Sequence, residues 1–549
     1  MFNFLSSMLN AQGNVVILNE ENINAIVKSE IQSGSLFKSH SSIKPYSQEY
    51  LFSQLMVDSN GNNMSLVRTN YEFIHYHNDS LSSMLIEGMK RKPHLRYFNT
   101  YPGHFYSEYS DSYYVTLDPI LNLELGKESN NENKLMHNTR GLRLKIGIDD
   151  KVFLNSEFTE NQMSPLSYIN DFANTYKAIP GAGFVKAYNS KILKVKNGYD
   201  YILAEGSVQF KACKHVDINL AHGRNFLGQG IRSLLLSDFS APLFFLKINS
   251  HFGRFNYVNI FSELSSENRF INDVDKLLAK KYSATHYLSM NITKNWNFAL
   301  FESVIFHRNK GFELQYLNPI ILYRAVEQAL GSPDNVLLGF QSHVNLLKKF
   351  SLYGQVILDE FVFRRVITNN KGWWANKYGI QLGIKYPDLC GIKGLYAQVE
   401  FNSVRPFTYS YSDSLTNYSH YHQALAHPLG SNFKEAISSI NYQMNKKVFL
   451  QMQLMAYSKG LDTSYLNYGG NILKNNSTRV SDYQNSIGQG LSTKVFQATL
   501  RLSYEVLSRT WLDFVIGARQ SNNVLEFKKS GWINLGLRMN MDYKSISYL

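Results

Sequence analysis

The feature of this sequence that most constrains its fold is a strict alternation of apolar and polar residues. In 395–402, Leu395, Val399 and Phe401 are separated by Gln398, Glu400 and other polar residues. Successive side chains of a β-strand point to opposite faces, so such a segment is a strand with one apolar and one polar face. Charged and amide residues in mid-strand favour a lipid-facing wall around a wet lumen over a soluble sandwich. The same pattern recurs at 140–149, 215–220, 448–456, 496–505 and 533–543.

Length and composition favour one large barrel over several soluble domains. The chain has 549 residues, is 14% aromatic and only 18% charged, and shows no linker or internal repeat. No segment approaches the roughly 18 to 20 apolar residues that cross a bilayer as a helix, so a membrane-spanning form must be a closed barrel. We therefore predict an all-β protein, a large transmembrane antiparallel β-barrel with a small N-terminal plug or periplasmic element.

The alternation also suggests how the chain is divided. Residues 1–12 have an apolar run and a small residue before Gln12, and we interpret them as the remnant of a signal peptide. Residues 13–104 alternate poorly and are expected to form the N-terminal element with the first strands. Residues 105–549 are expected to form the barrel and long surface loops. Two loop segments, "DVDKLLAKKY" and "LYRAVEQAL", have helical spacing.

The charge balance narrows the possible partners. Lys and Arg number 56 against 43 Asp and Glu, a net charge of +13. This charge suits an acidic polysaccharide, lipopolysaccharide phosphates or nucleic acid. No nucleic-acid-binding motif accompanies it, so we expect no nucleic-acid partner. Cys213 and Cys390 are far apart and lack metal-ligand spacing, and two isolated cysteines neither require nor exclude an oxidising compartment.

A group of charged and amide-bearing residues is predicted to line the lumen as a polar network. A glycosidase-like pair of carboxylates is the alternative, but the sequence does not fix the required separation. "GRNFLGQG" lacks the Lys-Ser/Thr of a phosphate-binding loop, and no serine elbow, HExxH or CxxC motif occurs, so we expect neither catalysis nor a cofactor. The predicted lumenal network comprises Arg224, Arg232, Glu302, Arg324, Gln355, Asp359, Glu400 and Asn402.

Two aromatic and polar segments, "RPFTYSYSD" and "TNYSHYHQ", are predicted to be exposed loop tips and are the candidates for ligand binding. Sugars are recognised by flat aromatic faces together with amides, hydroxyls and cations. An interfacial girdle of tyrosines is the alternative. His420, His422 and His427 could bridge a metal, but sugar contact or loop packing explains them equally well, and no metal site is predicted. The predicted polysaccharide-binding residues are Arg405, Phe407, Tyr409, Asn417, Tyr418, His420 and Tyr421.

One long segment carries a family resemblance. "HGRNFLGQGIRSLLLSDFSAPLFFLKINSHFGRFNYVNIFSEL", at 222–264, resembles the gliding-motility protein RemB of Bacteroidetes and, more distantly, the Wzi capsule-assembly family. "FELQYLNPIILYRAVEQALGSPDNVLLGFQ" and "TNYSHYHQALAHPLGSNFKE" continue it, in order, over about 110–440. The resemblance implies an outer-membrane barrel of about eighteen strands. It implies further that Wzi-like members hold capsular polysaccharide with a blocked pore, and that RemB-like members serve surface motility and adhesion.

Three functions remain in competition at this point. The first is a non-catalytic protein of the Gram-negative outer membrane that binds or anchors surface polysaccharide, in support of gliding, adhesion or capsule assembly. Its partners would be the polysaccharide, the lipid bilayer and other motility or surface-assembly proteins. The second is a porin-like channel for anionic solutes drawn by the net charge of +13. The third is a secreted soluble enzyme. An occluded lumen would favour the first function and an open lumen the second.

Overall fold

The computed structural model describes residues 20–46 and 104–541, except 39, 111, 130, 150, 192–194, 272, 310, 332–333, 361–371, 446 and 508. The predicted signal remnant, residues 1–12, and most of the predicted N-terminal element lie outside the described residues. Within the described part of the chain, no helix is both long enough and apolar enough to span a membrane.

Eighteen antiparallel strands form a closed barrel, as the fold prediction expects. Each strand pairs with its neighbours in sequence, and the last strand pairs with the first to close the wall. The strands are β1 Tyr113–Glu128, β2 Lys134–Ile148, β3 Val152–Ser164, β4 Val195–Cys213, β5 Val216–Gly223, β6 Leu243–Phe252, β7 Phe255–Ser265, β8 Lys280–Asn291, β9 Trp296–Phe306, β10 Asn335–Leu346, β11 Phe350–Leu358, β12 Tyr378–Pro387, β13 Leu395–Val404, β14 Phe433–Gln443, β15 Val448–Leu461, β16 Leu491–Leu507, β17 Thr510–Asn522 and β18 Phe527–Met539.

The alternation in the sequence becomes the two faces of this wall. On β13, the side chain of Val399 is 51% exposed on the outside, whereas Gln398, Glu400 and Asn402 are buried on the inside. The register predicted for this strand is therefore confirmed. The outer face carries a belt of exposed apolar side chains that includes Leu142, Phe158, Leu382, Phe401, Leu500, Ile516 and Leu535. A closed wall with such a belt is a lipid-facing surface.

The connections differ in length at the two ends of the barrel. Turns such as 214–215 and 253–254 join strands at one end, whereas connections such as 224–242, 307–334, 405–432 and 462–490 join them at the other. In outer-membrane barrels the short turns are periplasmic and the long loops extracellular. The remaining elements are the helices α1 Glu20–Ser33, α2 Ser167–Tyr176 and α3 Tyr323–Ala329, the 3₁₀ turns Leu314–Leu317, Leu389–Gly391, Ser414–Thr416 and Asn476–Thr478, and the short strands Ile43–Lys44, Tyr106–Tyr109, Phe184–Ser190, Phe226–Leu227, Arg269–Phe270, Ser419–His420 and Gln423–Ala424.

Two segments fill the lumen from opposite ends. Residues 224–242, which we call the inserted loop, enter from the extracellular end after β5. Residues 20–46 contact the periplasmic end, where Lys28 Nζ lies 2.8 Å from Asp388 Oδ1 in the turn after β12. The two segments meet through the strand pair Ile43–Lys44 and Phe226–Leu227. The barrel is therefore occluded by its own chain.

The inserted loop brings an apolar core into the barrel. Leu234 and Leu235 are fully buried and pack with inward residues of the wall, including Phe301 and Ile357. A wet, polar lumen is predicted from the sequence, and that prediction is wrong where the inserted loop packs against the wall. Burial of large apolar side chains stabilises the loop by roughly 1.5 to 3 kcal/mol for each of them.

The two helices predicted in surface loops have different outcomes. The segment "LYRAVEQAL" contains α3, so that prediction is confirmed. The segment "DVDKLLAKKY" is not helical: it is irregular up to Ala279, and Lys280 begins β8. Val274 and Leu277 remain exposed there. A short helix needs a surface on which to bury its apolar face, and this one has none.

Candidate functional site

Glu400 holds the inserted loop to the barrel wall. Its carboxyl oxygens accept hydrogen bonds from the backbone N–H groups of Ile231, at 2.8 Å, and Arg232, at 3.1 Å. They also accept hydrogen bonds from the Tyr353 hydroxyl and the Asn402 amide, both at 2.8 Å. Four donors and no acceptor suit an ionised carboxylate. The lumenal network therefore binds the chain's own backbone.

A buried charge cluster continues from this contact. The Arg232 guanidinium lies 3.2 Å from one carboxylate oxygen of Glu435, and the other oxygen accepts a hydrogen bond from His427 Nε2 at 2.8 Å. Asn402 donates to the same oxygen as His427, at 3.0 Å. All four side chains are buried. Buried charges persist only when they are paired and hydrogen-bonded, as here.

Gln355 and two glycines also contribute to the contact between the inserted loop and the barrel wall. Gln355 accepts a hydrogen bond from Leu234 N at 2.8 Å and donates to Leu227 O at 3.1 Å. A Cβ at Gly230 would overlap the carboxylate of Glu400, and one at Gly228 would lie 2.9 Å from Gln355 Nε2. These glycines allow close approach to the lumenal side chains.

Arg224 and Asp359 also lie in the interior, near the extracellular end. Arg224 pairs with Glu205 of β4 and donates to the carbonyl oxygens of Gly181, at 3.0 Å, and Ser240, at 3.1 Å. Asp359 lies 3.3 Å from Lys377 Nζ and accepts from Tyr409 N at 2.7 Å. Arg224 thus links the connection after β3 to the inserted loop, and Asp359 links the connection after β11 to the loop 405–432.

Two members of the predicted lumenal network are wrongly placed. Glu302 faces outward, because Phe301 next to it packs inside the barrel. Its carboxylate accepts from Tyr323 N at 3.0 Å and Arg324 N at 3.1 Å, at the start of α3. Arg324 is therefore outside the barrel too, where it pairs with Glu327 at 2.9 Å.

Most of the predicted polysaccharide-binding residues are buried, so the expectation that they lie exposed at loop tips is wrong. Tyr409 and Tyr418 stack at a ring separation of 5.8 Å and donate to the carbonyl oxygens of Leu234 and Leu235. The buried Lys281 ammonium donates to the backbone carbonyl oxygen of Asn417, at 2.8 Å, and to its side-chain amide oxygen Oδ1, at 2.7 Å. Phe407 is also buried, whereas Tyr421 is partly exposed.

The three histidines have separate partners. Ser265 N donates to His420 Nδ1 at 2.9 Å, and His420 Nε2 donates to Pro242 O, 3.2 Å away. His422 contacts Tyr176 O, and His427 contacts Glu435. Among the residues described, no three His, Cys, Asp or Glu side chains come together in a way that could hold a metal ion. Burial lowers the pKa of His420 to about 3, so its imidazole is neutral near pH 7.

Arg405 is itself largely buried, with 7% of its surface exposed, and it lines an open extracellular pocket of about 680 Å³. Its guanidinium donates to the carbonyl oxygens of Trp373, at 3.2 Å, and Asn485, at 3.4 Å, and lies over the Tyr378 ring. Within the described part of the chain, neither Arg405 nor Lys434 forms an ion pair with a carboxylate. The pocket, which we call the Arg405 pocket, is lined by Gly372, Arg405, Lys434, Gln484, Asn485, Ser486 and Ile487.

Of these lining residues, only Arg405 is among the binding residues predicted from the sequence. Trp373 and Trp374 are partly exposed beside the Arg405 pocket, and the Arg479 guanidinium lies 4.0 Å from the Trp374 ring centre. The "KGWW" tryptophan pair, next to an Arg- and amide-rich loop, was the available signal. The pocket needs three loops that are distant in sequence, which no local pattern reveals.

Comparisons with known proteins agree with this fold. Neither a family model nor a curated protein sequence matches the chain. Among solved structures, Wzi of Escherichia coli is similar to this chain, with a TM-score of 0.57 and 9% sequence identity over 96% of this chain and 100% of Wzi. Wzi is described as an outer-membrane protein involved in group 1 capsule assembly and as a carbohydrate-binding β-barrel. OccK8 and OprD of Pseudomonas aeruginosa cover 77% of this chain, each at a TM-score of 0.41 and at 8% and 11% identity.

The fold and the apolar belt define the class of this chain. It is an outer-membrane β-barrel protein of eighteen strands, located in the outer membrane of a Gram-negative bacterium. Within that class it has the fold of Wzi, with a lumen occupied by its own chain.

Proposed function

We propose that this protein is a non-catalytic surface barrel that binds or anchors an acidic polysaccharide at the Arg405 pocket. The observation that carries the proposal is the pair of cations, Arg405 and Lys434, which line an extracellular pocket without a carboxylate partner among the described residues. An anionic sugar group is the natural partner for such cations.

The surroundings of the pocket suit a sugar ring. Trp373 and Trp374 are partly exposed beside the pocket, with the Arg479 guanidinium over the ring of Trp374. Gln484 and Asn485 offer amides for sugar hydroxyls. Aromatic faces with a few placed polar groups are the usual components of a carbohydrate site. The carbohydrate binding named for Wzi, whose fold this chain shares, adds support.

Occlusion of the lumen separates this function from a porin-like channel. The inserted loop is held by Glu400 and Gln355, and residues 20–46 cover the periplasmic end. A channel for anionic solutes requires an open path, and the net charge of +13 alone does not supply one. A role in gliding, adhesion or capsule assembly, with partner proteins at the surface, is part of this proposal and rests on the sequence resemblance of 222–264.

The buried residues of the predicted site have a supporting role in this proposal. Tyr409 and Tyr418 fix the loop 405–432, of which Arg405 is the first residue, onto the inserted loop. Direct sugar contact by Phe407, Tyr409, Asn417, Tyr418 or His420 would require this loop to open. Tyr421 remains a candidate for direct contact.

The test is binding of purified protein to a glucuronic-acid-containing polysaccharide, with dextran as the neutral comparison. We expect Arg405→Gln combined with Lys434→Gln to weaken binding to the acidic polymer, and added salt to do the same to the wild type, because both remove screened charge attraction. Lys196→Gln, an exposed lysine at the start of β4, is the matched control and should bind as wild type. Equal binding by the double variant, with the barrel correctly folded, would contradict the proposal.

A further inference from the structure

The connection between β9 and β10 folds over the outside of the barrel. Residues 311–330, which we call the outer-wall segment, contain the turn Leu314–Leu317 and α3. Tyr316, Tyr323 and Val326 of the segment are buried against outward-facing wall residues. Those wall residues are Phe261, Ala284, Val304 and Phe306. The segment therefore covers part of the surface that lipid would otherwise contact.

Beneath the segment lies a polar patch that is unusual for an outer wall. Glu302 accepts from the first backbone N–H groups of α3, and His286 stacks on Tyr323 with ring centres 3.9 Å apart. Asn259, on the adjacent strand, is buried in the same row. Exposed to acyl chains, these polar groups would be costly. The segment shields them from lipid.

The segment also reaches far down the wall. The Tyr257 hydroxyl donates to Pro319 O. Tyr257 lies near the beginning of β7, close to the periplasmic turn 253–254. Phe255, two residues before it, and Leu300, in the same row two strands away, belong to the exposed apolar belt. The tip of the segment is therefore at the level of the lipid belt and well below the extracellular rim.

The outward side of the segment is mostly apolar, with Gln315 and Asn318 as exposed polar residues among the apolar ones. From Leu314 to Leu322 there is no charged residue. Ile320 is 85% exposed and Leu322 is 67% exposed, and Leu317 and Ile321 are exposed beside them. Among the described residues, the ion pairs lie toward the ends, where Arg308 pairs with Asp334 and Glu313, and Arg324 pairs with Glu327. An exposed apolar patch that continues a lipid-facing belt is suited to hydrocarbon.

We propose that the outer-wall segment is a membrane-embedded element, with Leu317, Ile320, Ile321 and Leu322 in contact with the acyl chains of the outer leaflet. The occupant is lipid because the apolar surface is continuous with the belt on β10, where Leu338 and Phe340 are also exposed. The segment thus adds an interfacial anchor to the spanning strands and seals the polar patch around Glu302.

Site-directed spin labelling tests this placement. Cys213 and Cys390, both exposed, are first replaced by serine. Single cysteines are then introduced by Ile320→Cys or Leu322→Cys, and the labelled barrel is reconstituted in phosphatidylcholine vesicles. Collision rates with oxygen, which concentrates in lipid, and with a water-soluble nickel chelate are compared. Leu535→Cys on the outer face of β18 is the lipid reference, and Leu525→Cys in the extracellular turn 523–526 is the water reference.

The proposal predicts that labels at 320 and 322 collide with oxygen as often as the label at 535 does, and rarely with the nickel chelate. Nickel collisions as frequent as at 525 would overturn it, because the segment would then lie in water. Low collision rates with both reagents would also overturn it, because a protein surface would then cover the segment. Two label positions guard against a local effect of either substitution.

Discussion

Removal of the Glu400 carboxyl group should release the inserted loop. The group accepts hydrogen bonds from two backbone N–H groups of that loop, Ile231 at 2.8 Å and Arg232 at 3.1 Å. A hydrogen bond to a charged partner contributes about 1.5 to 3 kcal/mol. Taking the lower value for each, Glu400→Ala should reduce the free energy of loop opening by about 3 kcal/mol. Since about 1.4 kcal/mol corresponds to a tenfold change, the open fraction should rise roughly a hundredfold.

The assay is maleimide labelling of Ser233→Cys, a fully buried position of the inserted loop, in a chain without the two native cysteines. We expect Glu400→Ala to accelerate labelling about a hundredfold, and Glu400→Gln, which keeps an acceptor oxygen, to accelerate it less. Ser439→Ala is the matched control, since Ser439 is buried on the neighbouring strand and its side chain bonds, among the described residues, only Asn441, at 3.4 Å. Labelling of Glu400→Ala at the parent rate would refute the proposed anchoring.

Two further predictions concern the wall and the loop 405–432. Val399→Arg places a charge on the lipid face and should reduce the free energy of barrel folding by about 2–4 kcal/mol. It should lower the fraction of folded, heat-modifiable protein in outer membranes, whereas Val399→Leu should leave that fraction unchanged. In the folded loop, the pKa of His420 is lowered from 6.5 to about 3, so the folded loop binds fewer protons than the unfolded loop. The loop is therefore most stable above pH 6.5, and its stability falls as the pH drops toward 3. At pH 5 the free energy that stabilises the folded loop is lower by about 2 kcal/mol. Proteolysis of this loop should therefore increase between pH 7 and pH 5, and it should increase less in His420→Gln. A pH-independent cleavage rate in the wild type would contradict this assignment.

The strands could be predicted from the sequence because their signal is local. The alternation around Val399 encodes both the register of β13 and its lumenal face, and each strand carries the same information in about ten residues. The same rule could have placed Glu302 correctly. It shares the parity of Leu300 and Val304, which face outward, and the error came from assuming that a charged residue must face the lumen.

The interior could not be predicted in the same way. Tyr409 and Tyr418 are buried because their hydroxyls meet the carbonyl oxygens of Leu234 and Leu235, which lie 175 and 183 residues away in sequence. Composition alone is compatible with both an exposed aromatic loop and a packed one. The resemblance of 222–264 implied a blocked pore, but only the contacts of Glu400 and Gln355 show how the inserted loop is held.

The central claim is that the barrel is closed by its own chain and acts at its outer surface. Conductance of the purified protein in planar lipid bilayers tests this most directly. We predict no steady open-channel conductance from the wild type, and transient openings from Glu400→Ala, in which the inserted loop is released. A steady, anion-selective conductance from the wild type would contradict the claim and would establish a channel in its place.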